Sequence, residues 1–582
     1  MDMITIKING ISVSVPKNST VLEAARIAGV DIPTLCYLKD INEIGACRLC
    51  LVEASEGGRP FRMVTACVYP VSDGMEIKTN TPKVLSSRKM NLELLLSAHD
   101  KRCLSCVRST NCELQKLCRD YGVEEGHFTT AKKDKVPLET STAFLVRDNN
   151  KCILCRRCVA ACRNLQDIGV IGANNRGYDS EIGTFFDKSL AETSCVACGQ
   201  CVVACPTGAL YEKDDSMKVL EAIADPTKHV AICCAPSVRA TLGECFGMEP
   251  GTDVEGKMVA ALRRIGFDGV YDMNFSADLT IMEEATELLE RITNGGKLPM
   301  ITSCSPGWIK YCEHYFPEMT DNLSTCKSPQ QMFGAIYKTF YAEKHGIDPK
   351  DIVFVSAIPC TAKKFEVGRP NQNAAGVPDV DIAITTRELG RMIETCGIDF
   401  KAMPDEKFDS PFSVSSGAGA IFGATGGVME AALRTAAELI LNKPLEKLDF
   451  EEVRGTAGIK RATYKLGDAT VRVAVASGTK NAKQLLRAVE RGEEQYDFIE
   501  IMCCPGGCVN GGGQPVQPAS VRNFTDLRAI RAKVLYTADK NNDLRKSHEN
   551  SICKMVYDEY LEKPGSHKAH KILHTSYIKR GL

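Results

Sequence analysis

The stretch Glu500-Ile-Met-Cys-Cys-Pro-Gly-Gly-Cys-Val-Asn-Gly-Gly-Gly-Gln-Pro515 sets two thiols, Cys504 and Cys508, on a backbone left bare by glycines at 506, 507, 511, 512 and 513. Glycine lets a main chain approach a bulky object, and thiolates ligate iron. The loop is suited to holding an inorganic group. Two further stretches carry related chemistry. They are Thr302-Ser-Cys-Ser-Pro-Gly-Trp308, with the only tryptophan of the chain, and Pro359-Cys-Thr-Ala-Lys-Lys-Phe-Glu366.

Cysteine dominates the composition, with 28 in 582 residues and sixteen of them before residue 206. Disulfide-dense chains are mostly short and secreted, whereas these cysteines recur at CxxC-type spacings in a long chain. Its start, Met1 to Gly10, lacks the basic and apolar regions of a signal peptide. Metal is therefore the better reading, in a cytoplasmic protein. No apolar run approaches the roughly 18 residues that a membrane span needs. Lys plus Arg (72) and Asp plus Glu (73) nearly cancel, which argues against nucleic acid or an anionic membrane as the main partner.

The chain divides by pattern. Residues 1–80 open with Ile4-Ile6-Ile8 and Ile11-Val13-Val15 alternating across Asn9-Gly10, a hairpin signal. Thr20 and Glu23 form a capping box before a helix that Gly29 closes. Hairpin, helix and a loop with Cys36, Cys47, Cys50 and Cys67 predict a β-grasp domain holding a 2Fe-2S cluster, with zinc the competing occupant. Residues 81–140 carry His99, Cys103, Cys106 and Cys112, three thiols short of a fourth ligand that the histidine supplies. An imidazole in that place raises a cluster's potential. Cys118 is left over and is expected to be a buried thiol. In residues 141–220, Cys152-x2-Cys155-x2-Cys158-x3-Cys162 is followed by Cys195-x2-Cys198-x2-Cys201-x3-Cys205-Pro206. In two-cluster ferredoxins of this spacing the fourth cysteine of each run serves the other cluster. One 4Fe-4S centre then takes Cys152, Cys155, Cys158 and Cys205, and the other Cys162, Cys195, Cys198 and Cys201.

From 221 to 520 cysteine thins out and the pattern becomes mixed α/β with a mostly parallel sheet. Ile281–Ile292 reads as an amphipathic helix with Glu284 and Glu287 on one face, and Val353–Ile358 as a buried strand running into Cys360. Strand ends and loops are where open α/β sheets place ligands. The glycines of Gly417–Gly423 have the wrong spacing for a dinucleotide fingerprint. In the tail, 521–582, His567, His570 and His574 fall along one predicted helical face without an acidic or thiol partner nearby in sequence, and a packing role is expected.

The three cysteine motifs of the C-terminal half, in this order and at these separations, resemble the signature motifs of the FeFe-hydrogenases, whose active site is called the H-cluster. The front sites resemble those of long hydrogenases and of the large iron-sulfur subunit of respiratory complex I. The resemblance implies an α/β catalytic domain with mixed sheets, preceded by a β-grasp 2Fe-2S domain and ferredoxin-like α+β iron-sulfur domains, with the tail wrapping the catalytic domain. It implies reversible conversion of two protons and two electrons to H2. The H-cluster would be a 4Fe-4S cubane linked through a cysteine to a diiron centre bearing CO, cyanide and a dithiolate amine. Cys508 matches the bridging ligand, and Cys504 and Cys360 match two others. Lys363 matches a cation that holds a cyanide, and Cys304 a thiol facing the amine. Glu284, Glu287 and Ser324 match a proton chain ending near Arg291.

One departure bears on the site. The family motif reads Thr-Ser-Cys-Cys-Pro, and here the second cysteine, a cubane ligand, is Ser305. Ser305 ligates as an alkoxide, or Cys304 leaves the relay to ligate, or another thiol such as Cys503 or Cys234 compensates. Cys503 itself stands in place of an alanine, and Ile358 where methionine is common. The implied cofactors are one 2Fe-2S cluster, three 4Fe-4S clusters and the H-cluster. The implied partners are H2, protons, ferredoxin, and flavin- and NAD(P)-binding subunits of an NAD(P)-linked, electron-bifurcating complex. A stand-alone ferredoxin hydrogenase is the alternative. A complex-I-like electron-transfer subunit would have no use for Cys360, Cys504 and Cys508. An iron-sulfur assembly protein would leave Cys304, Glu284 and Glu287 idle.

Overall fold

The alternating start of the chain folds as a hairpin, β1 (Met3–Ile8) and β2 (Ile11–Pro16), turning at Asn9 and Gly10 with φ of 50° and 87°. That is the left-handed pair a tight hairpin needs. The computed structural model describes residues 2–124, 127–128, 135–467 and 469–581. Residues 125–126 and 129–134 of the His/Cys segment lie outside the described residues. Strands β3 (Leu51–Ser55), β4 (Arg62–Thr65) and β5 (Glu76–Lys78) complete a sheet of order β2-β1-β5-β3-β4. The helix Val21–Ile27 covers it, with the Thr20/Glu23 capping box formed.

Helices Pro82–Ser97 and Glu113–Asp120 follow, and Leu92 and Leu114 bury against Leu35 and Leu49 of the first domain. Cys118 is half-buried rather than buried, because this short helix buries only Leu114 fully. The next unit pairs β6 (Leu145–Arg147), β7 (Ile171–Asn174), β8 (Glu181–Thr184) and β9 (Leu210–Glu212) into two antiparallel ribbons, β6-β9 and β7-β8. Its internal repeat is visible in the backbone. Leu154 and Arg156 have positive φ, as do Ala197 and Gly199 at the same offsets from the first cysteine of their run.

The C-terminal half is built on β10 (His229–Cys234), β11 (Gly269–Asp272), β12 (Met300–Ile301), β13 (Ile352–Ile358), β14 (Ile382–Thr385), β15 (Ile459–Leu466), β16 (Ala469–Ser477) and β17 (Phe498–Met502). One sheet, β11-β10-β13-β14, is wholly parallel. The other, β12-β17-β16-β15, is parallel apart from its β15 edge. Both faces of the second sheet are covered: Val473 and Val475 join one apolar cluster, Ala474 and Ala476 another. The helix Asn274–Thr293 begins earlier than its sequence pattern indicates. Asn274, Ser276, Asp278 and Thr280 are polar yet buried, so the apolar period that marks a half-exposed helix fades there.

The tail runs back over this half. Asp539 pairs with the buried Arg434 at 2.7 Å, and Lys327 N donates to Leu573 O at 2.8 Å. The helix His567–Leu573 ends before His574, which is extended, so the three histidines do not share a helical face. His574 Nε2 lies 2.9 Å from Glu283 Oε2, an acidic partner supplied by a distant helix. Among the described residues no helix is long and apolar enough to cross a membrane.

Candidate active site

The loops after β10, β12, β13 and β17 leave the C-terminal ends of their strands and wall one cavity, as expected for open parallel sheets. Cys304, Ser305, Cys360, Cys503, Cys504 and Cys508 line it, among apolar neighbours that include Ile358, Phe422 and Met502. Burial pushes the Cys508 thiol up to about 12, with the neighbouring Cys504 adding to the shift. A metal that binds such thiols displaces their protons, so several of them on one cavity wall suit a metal group. Two buried polar atoms of the wall, Ser237 Oγ and Gln330 Oε1, have no hydrogen-bond partner. A buried polar atom left unpaired costs about 1–3 kcal/mol, and both are placed to serve a polar occupant. Lys363 is buried in the same wall, 2.9 Å from Glu366 Oε2. The thiols, the Lys363 cation and the Ser237 hydroxyl thus fit an anionic iron centre, while Gln330 Oε1, whose amide nitrogen is spent on Glu366, can only accept a hydrogen bond.

A line of acidic groups leads away from Cys304. Glu284 is fully buried, and burial followed by the charge of Glu287 pushes its carboxyl up to about 8. Both its oxygens lack a hydrogen-bond partner, and the neighbouring Ser324 hydroxyl and Ser303 amide only partly offset the rise. Ser324 Oγ donates to Glu287 Oε2 at 3.0 Å, and Arg291 reaches Glu287 at 2.6 Å near the surface. Burial and the Glu284 charge raise the Cys304 thiol well above its ordinary value. Of the five groups, Ser324, Glu287 and Arg291 are joined by direct contacts, while Cys304 and Glu284 are linked to them through the charges that raise both groups.

The front cysteines are grouped as well. Cys50 Sγ and Cys67 Sγ lie 3.3 Å apart, and Cys36 is in hydrogen-bonding contact with Cys47. His99 Nδ1 is buried without a partner, as an imidazole awaiting a metal would be. One cavity is lined by Cys152, Cys155, Cys158 and Cys205, and another by Cys162, Cys195, Cys198 and Cys201. Cys198 also lines the catalytic cavity, so it stands in the wall between the two. The approach is tight: a Cβ on Gly199 would fall 2.8 Å from the Gly512 Cα and 2.5 Å from the Thr361 Oγ1. Thr361 Oγ1 donates to Ala197 O, and Gln166 Nε2 to Cys503 O.

Comparison with known proteins decides the family. The model for the iron only hydrogenase large subunit, C-terminal domain, matches residues 228–512, and that for the iron hydrogenase small subunit matches 525–580. The NADP-reducing hydrogenase subunit HndD of Solidesulfovibrio fructosivorans is 49% identical over 591 residues, covering 100% of both chains. The chain belongs to the FeFe-hydrogenases. Iron hydrogenase 1 of Clostridium pasteurianum is 44% identical over 579 residues, covering 99% of this hydrogenase and 100% of that one. A structure of an apo FeFe-hydrogenase HydA1 variant from Chlamydomonas reinhardtii aligns with a TM-score of 0.56 at 41% identity, over 64% of this chain and 100% of that one. The front of the hydrogenase matches a 2Fe-2S iron-sulfur cluster binding domain at 1–82. It also matches the NADH-ubiquinone oxidoreductase-G iron-sulfur binding region at 88–127 and a 4Fe-4S dicluster domain at 147–211. It is thus an iron hydrogenase with 2Fe-2S and 4Fe-4S domains ahead of an H-cluster-bearing fold.

Several residues of this hydrogenase's site escaped the sequence reading. Ser237 and Gln330 are single polar residues with no spacing signal. Cys326 Sγ lies 3.8 Å from Glu287 Oε2, and the Tyr577 hydroxyl donates to Ser324 O at 2.7 Å. Only the fold joins these to Glu287. Cys234, weighed as a substitute ligand, is buried in β10 and does not line the cavity.

Proposed function

We propose that this hydrogenase is the hydrogen-activating subunit of an NAD(P)-linked complex, exchanging electrons through two front sites that converge on one internal path. In this reading Cys36, Cys47, Cys50 and Cys67 hold a 2Fe-2S cluster, and His99, Cys103, Cys106 and Cys112 hold a 4Fe-4S cluster. The cavities of Cys152, Cys155, Cys158 and Cys205 and of Cys162, Cys195, Cys198 and Cys201 hold two more. Cys360, Cys504 and Cys508 hold the H-cluster.

The observation that carries this reading is the convergence. Asn42 Nδ2 donates both to Cys36 O (2.7 Å) and to Cys155 O (3.0 Å), tying the 2Fe-2S loop to the first ferredoxin-like cavity. Cys112 Sγ meets Pro206 O at 3.9 Å, bringing the His/Cys site to the same cavity. Outside, apolar Ile44 and Val68 are exposed near the first site, and Leu104 is fully exposed between Cys103 and Cys106. Such surface favours protein partners. The relative named as an NADP-reducing hydrogenase subunit supports NAD(P) as the distant redox partner. A flavin-bearing subunit would mediate between a two-electron nicotinamide and one-electron clusters.

When bound, the diiron centre supplies the making and breaking of the H–H bond. The chain supplies the rest. Lys363 and Ser237, both in the cavity wall, would donate hydrogen bonds to an anionic group held there, and the apolar wall excludes water. Cys304, protonated in the cavity wall, would hold a proton there, and Glu284, neutral at pH 7, can release one and take it back. Ser324, Glu287 and Arg291 carry the line to solvent.

The test uses H2 as donor. The full-length chain with its diiron centre should reduce viologen and leave NADP+ oxidised, and addition of the flavin-bearing subunit should start NADP+ reduction. NADP+ reduction by the chain alone would overturn the proposal.

A further inference from the structure

We infer that Cys503, not the side chain at position 305, supplies the fourth protein ligand of the H-cluster cubane. The inference rests on the H-cluster reading above and concerns one corner of the cavity. Cys360, Cys504 and Cys508 provide three thiols. A hydroxyl is a poor fourth ligand, because iron-sulfur clusters are held by thiolates and an alcohol ionises far above neutral pH. Ser305 Oγ accepts a hydrogen bond from Cys503 N at 3.1 Å, so the two residues share that corner.

Cys503 is the thiol placed to replace it. Its side chain is buried, lines the cavity, and is in hydrogen-bonding contact with the thiols of Cys504 and Cys198. Room for its sulfur is made by Gly307, whose Cβ would fall 2.7 Å from Cys503 Sγ. Of the other candidates, Cys304 lines the cavity but has no contact with Cys504 or Ser305 of the kind Cys503 makes, and Cys234 lies outside the cavity wall. Serine at 305 and cysteine at 503 therefore read as one exchange, in which the sulfur keeps its corner and changes its strand. Ligation forms one Fe–S bond and releases the thiol proton to solvent. Because Cys503 also touches Cys198, the ligand that closes the cubane lies against the neighbouring cluster site.

The test needs no hydrogenase activity. The full-length chain is produced anaerobically without the diiron-inserting machinery, and iron content and the EPR signal of the reduced cubane are measured. Signals of the front clusters report folding. Ser305→Ala should keep the cubane, Cys503→Ala should lower its signal at least about ten-fold, and Ser305→Cys combined with Cys503→Ala should restore it. Retention of the cubane by Cys503→Ala, or failure of the double variant to restore it, overturns the inference. A wild-type chain with no cubane signal beyond those of the front clusters would instead overturn the H-cluster reading itself.

Discussion

The two ferredoxin-like cavities and the catalytic cavity are both lined by cysteine, and they are built in opposite ways. Each of the first two takes three thiols from one short run and one from its twin. The positive φ of paired residues such as Leu154 and Ala197 wraps the backbone around each site. Apart from Cys198, which it shares with its neighbour, the catalytic cavity draws its thiols from loops after β12, β13 and β17, from Cys304 to Cys508 along the chain, which only two finished sheets bring together. A locally built site tolerates little change in spacing. A site assembled from distant strand ends can lose a ligand on one loop and regain it on its neighbour, the exchange proposed above for Ser305 and Cys503.

The difference yields separable losses. The largest effect is expected from Cys504→Ala: both H2 evolution and the exchange of H2 with D2O should fall to background, because the chemistry belongs to the metal group. Next, Glu284→Gln should lower H2 evolution by about 10²–10⁴ while iron content is unchanged. In the unsubstituted protein the rate should also fall as pH rises through about 8, since Glu284 is neutral and able to donate below that value and ionised above it. A pH profile without this limb would contradict its place in the relay.

By contrast, Cys155→Ala should cut viologen-driven evolution about ten-fold or more yet spare H2–D2O exchange, which needs no external electrons. Loss of both would mean that the two regions do not separate as drawn. At the contact between them, Gly199→Ala must push against Thr361 and Gly512 at a positive φ of 67°. A cost of about 1–3 kcal/mol is expected, read as a lower melting midpoint. The smallest change should come from His99→Cys, which keeps the iron but lowers the potential of that one cluster in a redox titration.

The contrast also explains what the sequence made legible. The grouping of cysteines around each ferredoxin-like cavity could be written from spacing alone, because neighbours in the chain are neighbours in space. The hairpin at Asn9-Gly10 and the Thr20 cap were readable for the same reason, each being a local preference of a few residues. The cysteines of the catalytic cavity were legible as a group only through resemblance, and the resemblance broke at Ser305. Ser237 and Gln330 gave no sign at all, since a lone polar residue acquires meaning only when burial strips it of partners. The start of the Asn274–Thr293 helix was hidden because buried polar side chains erase amphipathic contrast. His574 was read as a helical neighbour of His570, and its contact with Glu283 exists only because the tail returns across the domain.

The most direct test of the central claim is H2 evolution from reduced methyl viologen by the full-length chain, made anaerobically with the machinery that inserts the diiron centre. Infrared bands of bound CO and cyanide would certify that the centre is in place. Sustained evolution is expected, abolished by Cys504→Ala. No evolution from a preparation that shows those bands would contradict the account of this cavity as the site of hydrogen chemistry.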